Sequence, residues 1–324
     1  MRAVVFTGSG GSEVVSFLER PDPVPSGDDV LVRVRYAGLN PADLGQRAGR
    51  YPAPAGSPSD VPGLEVAGTV IACGPTAHRF AIGDRVFGIV GGGGLAGKVV
   101  AHEMHLAPIP ERLGELEAAA IPEVFVTAHD ALMTQAGLRL GELLVVNGAN
   151  GGVGTAAVQI ASVSGARVLA TVRDESLHAA VSGLGASVIT PDDLVERAID
   201  DGGADVVLEL VGAPNLGSDF AALALKGRIV IVGTGAGIEA TLSLRALMGR
   251  RARLIGTGLR SRPLEEKAAA VQSFAREVVP HLATGRIVPL IDRVFPASEA
   301  AAAYDRLEER GKLGKVLLDF ELRG

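Results

Sequence analysis

The chain has 324 residues but contains one cysteine, Cys73, only three tyrosines and no tryptophan. A single cysteine excludes an intramolecular disulfide and any metal site built from several cysteines. The net charge is −6 without a basic block, which argues against nucleic acid or an anionic membrane as the main partner. The stretch Met1–Phe6 is too short for a signal-peptide core, and no uncharged apolar run reaches about 18 residues. We therefore expect a cytoplasmic protein that binds neither nucleic acid nor membranes.

The first third of the sequence has the pattern of a β-rich domain. Short apolar runs are separated by turn residues, and they predict strands at Ala3–Thr7, Val14–Leu18, Asp29–Tyr36, Val66–Cys73 and Asp84–Ile89. Many short strands with frequent turns are typical of a compact β domain. The length of the chain leaves room for a second domain after it.

The stretch LLVVNGANGGVG at residues 143–154 is the clearest motif in the chain. An apolar run typical of a buried parallel strand leads into glycines and then into small residues that suit a helix. Glycines let the backbone approach a pyrophosphate, and free N–H groups at a helix N-terminus stabilise its charge. The motif departs from G-x-G-x-x-G because Ala149 takes the first glycine position, and the role of Asn147 stays open. The predicted dinucleotide contacts of this turn are Gly148, Asn150, Gly151, Gly152 and Val153.

The choice of cofactor depends on the next predicted strand, Ala166–Val172. An NAD-specific enzyme would place an acidic residue where this strand ends, whereas the chain has Thr171 followed by Arg173. A guanidinium can bind a 2′-phosphate through paired hydrogen bonds. We therefore predict NADP(H) as the cofactor, with Thr171 and Arg173 in contact with it. In the alternative interpretation, Arg173 is solvated and Asp174 caps the next helix.

Further strands follow at the spacing of a doubly wound parallel sheet. They are predicted at Ser187–Thr190, Asp205–Val211, Arg228–Val232 and Arg253–Thr257, with helices at Val195–Asp200 and Phe220–Leu225 between them. Ligands of such sheets bind outside the carboxyl ends of the strands, so Val211 and Gly233 are predicted to flank the cofactor.

The last third is predicted to return to the first domain. A long amphipathic helix is predicted over Pro263–Thr284 and a strand over Ile287–Val294. A helix over Ser298–Arg310 with Ser298 as N-cap follows, and a strand over Val316–Phe320 ends the pattern.

This order of domains resembles the medium-chain dehydrogenase/reductase superfamily, and the similarity covers essentially the whole chain. The motifs NPAD at residues 40–43 and GLEVAG at residues 63–68, with the stretch at residues 118–131, are similar to the zinc-free NADPH:quinone oxidoreductases of the zeta-crystallin-like group. The resemblance implies a β-rich GroES-like catalytic domain of residues 1–123 and 262–324. It implies an α/β Rossmann domain, which binds NADP(H), over residues 124–261.

The resemblance also allows a test of whether this chain carries the zinc ligands of the superfamily. Zinc alcohol dehydrogenases of this superfamily carry a His where this chain has Leu64 and a Cys where it has Asn40, and neither residue is a good zinc ligand. Only His102 and His105 have a metal-like spacing, and they lie on a predicted strand or loop. We expect no metal, so simple alcohol oxidation is disfavoured and hydride delivery to an activated carbon or a quinone is favoured.

Several site residues are implied by the resemblance alone. Asn40 would lie near the nicotinamide ribose, Thr127 beside the nicotinamide, and Lys315 close to the cofactor. Tyr51 matches a loop tyrosine assigned as proton donor in related enoyl reductases, and a phenol keeps its proton at neutral pH. Asn40 and Asp43 equally suit a helix cap and its first turn, and Tyr51 equally suits a loop aromatic at a hydrophobic rim.

These features predict NADPH-dependent reduction of a quinone or another conjugated carbonyl compound, with Tyr51, Asn40 and Asp43 as catalytic candidates. Few charged residues occur in the loops at 49–56 and 91–97, which fits a small apolar substrate. The alternatives are an enoyl-thioester or enone reductase of specialised metabolism and a cofactor-binding protein with little turnover. The resemblance further implies a homodimer through the edge of the Rossmann sheet.

Overall fold

A computed structural model describes residues 1–322 of the chain. It divides into two units: Met1–Val126 and the segment from Leu259 onward form the first, and Thr127–Gly258 forms the second. The first unit is thus assembled from two separate parts of the chain, whereas the second is continuous. No helix within residues 1–322 combines the length and the apolar character needed to cross a membrane.

Strands predominate in the first third of the chain, and strands and helices alternate after it. The strands are β1 (Arg2–Phe6), β2 (Val15–Glu19), β3 (Asp29–Gly38), β4 (Glu65–Cys73), β5 (Arg85–Ile89), β6 (Lys98–His102), β7 (Leu106–Pro108), β8 (Leu143–Asn147), β9 (Arg167–Thr171), β10 (Ser187–Ile189), β11 (Ala204–Glu209), β12 (Leu223–Ile231), β13 (Arg253–Gly256), β14 (Ile291–Pro296) and β15 (Lys315–Asp319). The helices are α1 (Pro41–Arg47), α2 (Glu115–Ala119), α3 (Pro122–His129), α4 (Gly152–Val163), α5 (His178–Ser182), α6 (Leu194–Asp200), α7 (Leu216–Ala222), α8 (Leu244–Arg250), α9 (Leu264–Glu277), α10 (Val279–Thr284) and α11 (Ala300–Glu308).

Antiparallel pairing dominates the first unit. Its main sheet has the order β14-β15-β3-β4-β5-β7, with β6 paired to β3, and β14 and β15 are its parallel pair. On β3, Val30, Val32 and Val34 are buried while Arg33 is exposed, because successive side chains of a strand point to opposite faces. The core of this unit includes Tyr304 of α11, which is fully buried.

The second unit is built around a parallel sheet with the order β10-β9-β8-β11-β12-β13. From β8 the chain proceeds to β9 and β10 on one side and then returns to β11, β12 and β13 on the other. All five residues of β8 are buried, as is typical of a parallel strand covered on both faces. The predicted α/β class, with a doubly wound parallel sheet and a separate β-rich part, is confirmed. The strand order reverses between β8 and β11, where sheets of this kind bind their ligands.

One predicted helix gives way to a strand. The sequence predicts a helix over Phe220–Leu225, whereas α7 ends at Ala222 and β12 begins at Leu223. Leu223 pairs with Ala204 of β11, so pairing within the sheet overrides the helical tendency of this apolar run. The prediction is wrong for its last three residues.

The predicted helix over Pro263–Thr284 is two helices, α9 and α10, which meet at Val278. Pro280 lies in the first turn of α10. A proline has no N–H for the helical hydrogen bond, and its ring clashes with the preceding turn. The prediction of one continuous helix is therefore wrong.

Two boundaries in the last part of the chain are also wrong. The strand predicted to begin at Ile287 begins at Ile291. Ser298 lies in a 3₁₀ turn and is not the N-cap of α11, a position that Glu299 occupies without a capping side-chain hydrogen bond. Short 3₁₀ turns before helices leave no distinct sequence signal, because serine suits both positions.

Candidate functional site

The glycine turn of residues 148–151 follows β8 at the point where the strand order reverses. Gly148 has a φ of +78°, a conformation that side chains with a Cβ rarely adopt. A Cβ on Gly154 would lie 2.6 Å from Cα of Ala149, so only glycine lets the first turn of α4 pack against the preceding backbone. The predicted strand, turn and helix therefore occur in the predicted order.

The start of α4 is open to an anion. Gly151 is its exposed N-cap, and the first turn contains no acidic side chain. The first N–H groups of a helix have no partner within the helix, and the helix dipole places partial positive charge beside them. Asn150, Gly152 and Val153 are partly accessible around this position. This arrangement suits the pyrophosphate of a dinucleotide.

Arg173 is exposed two residues after the end of β9, and its guanidinium makes no hydrogen bond or ion pair within residues 1–322. The neighbouring Asp174 accepts hydrogen bonds from the backbone N–H of Ser176 at 3.1 Å and from its hydroxyl at 2.6 Å. Asp174 therefore caps the turn that follows it, as the alternative interpretation of the sequence has it. Its carboxylate is directed toward Ser176. Arg173 stays available for a phosphate group.

Asn147, the residue with no assigned role, is the centre of a buried network. Its side-chain amide donates to Glu209 Oε2 at 2.7 Å and to Asp219 Oδ1 at 2.6 Å. The hydroxyl of Thr171 donates to Asn147 Oδ1 at 3.0 Å. The other oxygen of Glu209 accepts the backbone N–H groups of Val211 at 2.5 Å and Gly212 at 2.7 Å. The ends of β8, β9 and β11 are thus joined by side chains.

The remaining predicted cofactor contacts of the second unit lie at the carboxyl ends of its strands or on α3. Val211 and Gly233 are partly accessible just beyond β11 and β12, and Thr127 is partly accessible on α3. A Cβ at Gly148 would approach Cγ2 of Val211 to 3.2 Å, so the loop after β11 packs directly on the glycine turn.

The first unit contains a separate cluster of buried ionisable groups around Asn40. The Lys315 ammonium donates to the carbonyl oxygen of Leu39 and to Asn40 Oδ1, both at 2.7 Å, and lies 2.5 Å from Glu65 Oε1. The Asn40 amide donates to the same Glu65 oxygen at 2.9 Å. Lys315, predicted to approach the cofactor, has its three N–H groups directed at acceptors of its own unit.

Asp43 forms a capping box with Asn40 at the start of α1, which is the cap arrangement considered from the sequence. Its Oδ2 accepts the Asn40 backbone N–H at 2.8 Å, while Oδ1 is buried without a partner in the described residues. Burial raises the pKa of Asp43 to about 6, although the charges of Lys315 and Arg260 oppose this shift.

Arg260 organises the loop that carries Tyr51. Its guanidinium is buried and donates to the carbonyl oxygens of Gly91 at 3.0 Å and Tyr51 at 3.3 Å, and to Gln46 Oε1. It also lies 5.1 Å from the centre of the Tyr51 ring. Tyr51 itself is 39% exposed, and burial of the rest raises its pKa, so the phenol stays protonated at neutral pH.

Glu123 is a site residue that the sequence did not single out. It lies in the first turn of α3, and its backbone N–H donates to Glu65 Oε2 at 2.8 Å. Burial and then the negative charge of Glu65 raise the pKa of Glu123 to about 8. Glu123 is therefore protonated at neutral pH, and it lies close enough to Tyr51 that its ionised form raises the pKa of the phenol.

The residues at the positions where zinc alcohol dehydrogenases bind their metal do not suit zinc. Leu64 is buried and apolar, and the side-chain oxygen of Asn40 is bound by the Lys315 ammonium. His102 Nδ1 accepts the Met104 N–H, and His105 Nε2 lies 3.0 Å from the carbonyl oxygen of Leu264. In the described part of the chain, no group of three or more His, Cys, Asp or Glu residues is placed to hold a metal ion.

Comparisons with known proteins agree with both units. Residues 26–111 match the family "Alcohol dehydrogenase GroES-like domain", and residues 152–276 match the family "Zinc-binding dehydrogenase". A quinone oxidoreductase of Rattus norvegicus is 33% identical over 327 residues, which cover 98% of this chain and 97% of the relative. The chain belongs to the medium-chain dehydrogenase/reductase superfamily. It is an oxidoreductase of that superfamily, as the resemblance to it predicts.

Solved structures of this superfamily share the whole fold. The quinone oxidoreductase from Thermus thermophilus, a structure reported also as its complex with NADPH, is 35% identical with a TM-score of 0.86. The alignment covers 99% of this chain and 100% of that chain. A quinone oxidoreductase of Pseudomonas syringae pv. Tomato is 27% identical, with a TM-score of 0.87 over 98% of this chain and 99% of that chain.

Proposed function

We propose that this protein is a zinc-independent, NADPH-dependent reductase of quinones or other conjugated carbonyl compounds. The observation that carries the proposal is the anion-binding turn at the reversal of the strand order, with the unpaired Arg173 at the next strand end. The names of the rat and Thermus relatives support the quinone, and the NADPH complex of the Thermus enzyme supports the cofactor.

The residues of the second unit fit a nicotinamide dinucleotide. The backbone of Gly148–Val153 would bind the pyrophosphate, and Arg173 would bind the 2′-phosphate with Thr171 beside it. Val211, Gly233 and Thr127 would border the nicotinamide half. When bound, the nicotinamide supplies the hydride for the reduction.

The first unit would supply protonation and substrate binding. Tyr51 holds its proton at neutral pH and has a partly accessible side chain, so it can donate to the enolate of a reduced enone. Asn40, Asp43 and Lys315 would fix the start of α1 within the first unit, since they are buried and joined by hydrogen bonds. No residue of this cluster needs a metal for these roles.

The acceptor and the cofactor can be tested together. Purified protein is assayed for NADPH and NADH oxidation with a panel of quinones and a panel of enones and enoyl thioesters, with and without a zinc chelator. We expect quinone-dependent NADPH oxidation that the chelator leaves unchanged. Tyr51→Phe should slow enone reduction by about tenfold or more but spare quinone reduction, because a quinone product can take protons from water. Cofactor binding without turnover of any acceptor would contradict the reductase proposal.

Arg173→Ala tests the choice of cofactor. We expect the Kd for NADPH to rise by about tenfold or more and the Kd for NADH to stay unchanged, because only NADPH carries the 2′-phosphate. Arg167→Ala is the matched control, since Arg167 is also exposed but begins the same strand at its opposite end. Equal loss of NADPH and NADH affinity in Arg173→Ala would reject the 2′-phosphate assignment.

We also propose the predicted cytoplasmic location. The edge of the parallel sheet supports the predicted homodimer. β13 is the last strand of the parallel sheet, so one of its edges has no partner strand within residues 1–322. Leu225, Leu244, Met248 and Leu254 are exposed in the same unit, at 57%, 67%, 75% and 39%. A second copy paired along β13 would cover apolar surface of this kind.

A further inference from the structure

The two strands at the reversal of the strand order both end in buried polar residues. Asn147 is the last residue of β8 and Glu209 the last residue of β11, and they are direct partners in the parallel register. Both are 1% exposed. Burying an amide and a carboxylate at this depth is costly unless their hydrogen bonds are made. The position of these residues coincides with the place where a doubly wound sheet binds its ligand.

Every polar atom of this pair has a partner. The Asn147 amide hydrogens go to Glu209 and Asp219, and its oxygen accepts from Thr171. Glu209 Oε2 also accepts from Asn215 at 3.1 Å. A flipped Asn147 amide would place its Oδ1 against Glu209 Oε2, an acceptor against an acceptor, so the amide has one orientation.

Glu209 holds the backbone of the next loop. One of its oxygens accepts from the N–H groups of both Val211 and Gly212, so a single carboxylate fixes two successive residues. Gly212 has a φ of +123°, and a Cβ there would lie 2.7 Å from the carbonyl oxygen of Gly237. The Val211–Gly212 turn is thus a specific conformation that the carboxylate stabilises.

The turn in its held conformation packs on the glycine motif. Val211 Cγ2 would be 3.2 Å from a Cβ at Gly148, and Gly148 directly follows Asn147. The network consequently borders both sides of the crevice above the strand ends: Asn147 directly precedes the glycine turn, and Glu209 holds the loop after β11.

Asp219 closes the network from α7. It is fully buried, its Oδ1 accepts a hydrogen bond from the Asn147 amide, and its Oδ2 accepts none in the described residues. Two carboxyl groups that share one amide in a buried place do not both ionise. Burial, the charge of Glu209 on β11 and a hydrogen bond with Glu209 raise the pKa of Asp219 to about 8, and the neutral Asn147 on β8 opposes this shift. Asp219 is therefore protonated at neutral pH.

We propose that Asn147, Glu209 and Asp219 are positioning residues for the cofactor, holding the Val211–Gly212 turn against Gly148 through the hydrogen bonds of the network. The proposal rests on the proposed function only in that a nicotinamide dinucleotide binds at these strand ends. The network acts on the cofactor through the backbone that it holds. Deprotonation of Asp219 would place a second negative charge beside Glu209 and loosen the turn.

The first experiment needs no cofactor. Amide hydrogen exchange of the peptide that contains Val211 and Gly212 is followed in the full chain between about pH 6.5 and pH 9.5, after correction for the intrinsic exchange rate. We expect protection of this peptide to fall in the wild type as pH rises through about 8 and to stay constant in Asp219→Asn, whose amide keeps the hydrogen bond at every pH. Identical pH profiles in the two proteins would overturn the proposal.

The second experiment measures NADPH affinity by the fluorescence of the nucleotide over the same pH range. Asp219→Asn should bind like the wild type at pH 7 and lose the weakening above about 8, whereas Glu209→Gln should bind at least about tenfold more weakly throughout. Asp205→Asn is the matched control, because Asp205 lies near the opposite end of β11 and accepts the Leu143 N–H at 2.8 Å. Equal effects of Glu209→Gln and Asp205→Asn would mean a general structural role and reject a positioning role.

The two experiments separate the proposals. If the wild type bound no nicotinamide nucleotide at any pH, the proposed function would fail, while hydrogen exchange would still decide whether the network holds the turn. If the wild type bound NADPH but Asp219→Asn kept the same pH dependence of Kd, the proposed function would stand and the network proposal would fail. Neither result depends on Glu209→Gln folding, since Asp219→Asn retains every hydrogen bond of the network.

Discussion

Charge in the first unit is distributed among residues that are far apart in the sequence. Glu65 and Lys315 form an ion pair at 2.5 Å, with Asn40 bonded to both. Glu123 lies beside these three residues, but in the described part of the chain its carboxyl group makes no hydrogen bond with the Lys315 ammonium. The buried ion pair is completed by neutral hydrogen bonds, which is the condition under which such a pair can be tolerated. Glu123 keeps a proton instead, because a further negative charge would have no partner.

Glu123→Gln should change how the free energy of unfolding depends on pH. The pKa of Glu123 is raised from 4.5 to about 8 in the folded protein, so between these values the folded state holds a proton that the unfolded state has lost. Stability from this group is complete at low pH and is lost as pH rises toward 8. We expect the free energy of unfolding in urea to fall less between about pH 5 and pH 8 in Glu123→Gln than in the wild type.

Glu111→Gln, at an exposed position, is the control for this measurement and should leave the slope unchanged. Asp43 contributes its own slope, but only up to about pH 6, and it is present in both proteins. Parallel pH curves for the wild type and Glu123→Gln would contradict the raised pKa.

The cap formed by Asn40 and Asp43 could be predicted because its partners are three residues apart and the residue types suit a helix start. The other role of Asn40, between Glu65 and Lys315, could not, since nothing local links positions 40, 65 and 315. Glu209 left a partial signal, an acidic residue in the apolar run DVVLEL. Asp219 left none, because its proton depends on a neighbour that only the fold supplies.

Among the elements, those with a strong local pattern follow the sequence closely. β8 and β9 lie within a residue of their predicted bounds, because short apolar runs flanked by turn residues have few other structures open to them. The boundary between α7 and β12 was missed since an apolar run of this length suits either structure, and only the pairing of Leu223 with Ala204 decides. A local sequence pattern contains no information about pairing partners that are distant in the sequence.

β12 is tied to its surroundings by Arg228, which is buried. Its guanidinium forms two hydrogen bonds with Glu142, at 2.9 Å and 2.8 Å, and donates to the carbonyl oxygens of Ala136 at 2.9 Å and Gly137 at 3.1 Å. Such a paired arrangement fixes orientation as well as distance. The segment that leads into β8 is consequently held at the amino end of the sheet.

Arg228→Met should lower the free energy of unfolding by about 3 kcal/mol, because it leaves a carboxylate and several carbonyl oxygens without their donor. Arg253→Met, at the register partner on β13, removes an exposed arginine and should cost no more than about 0.5 kcal/mol. Chemical denaturation of the two variants measures the difference. A loss in Arg228→Met as small as that in the control would mean that these bonds contribute little.

At the scale of the whole molecule, the proposed homodimer depends on the edge of β13 that has no partner strand within residues 1–322. The groove between α7 and α8 has a volume of about 620 Å³ and is lined by apolar side chains that include Phe220 and Leu225. Together with the exposed Leu254 it offers a second copy both backbone and side-chain contacts. The proposed homodimer would use this surface.

Leu254→Lys should convert the proposed dimer into a monomer, because each copy would bring a charge to the centre of the edge pairing. Light scattering after size exclusion measures the mass, and we expect twice the chain mass for the wild type. Val24→Lys serves as the control, since Val24 is exposed in the first unit. A wild-type protein that elutes at the mass of one chain would reject the homodimer.

The placement of β15 in the first sheet also sets an order of events during synthesis. β15 lies between β14 and β3, and its Lys315 completes the ion pair with Glu65. Residues 127–258 can fold once they have left the ribosome, because their unit is continuous. In the first unit, residues Tyr36–Gly38 of β3 lack their partners on that side until β15 has been made, because β6 pairs only with Asp29–Arg33. The part of the chain that is synthesised first is therefore the part that finishes folding last.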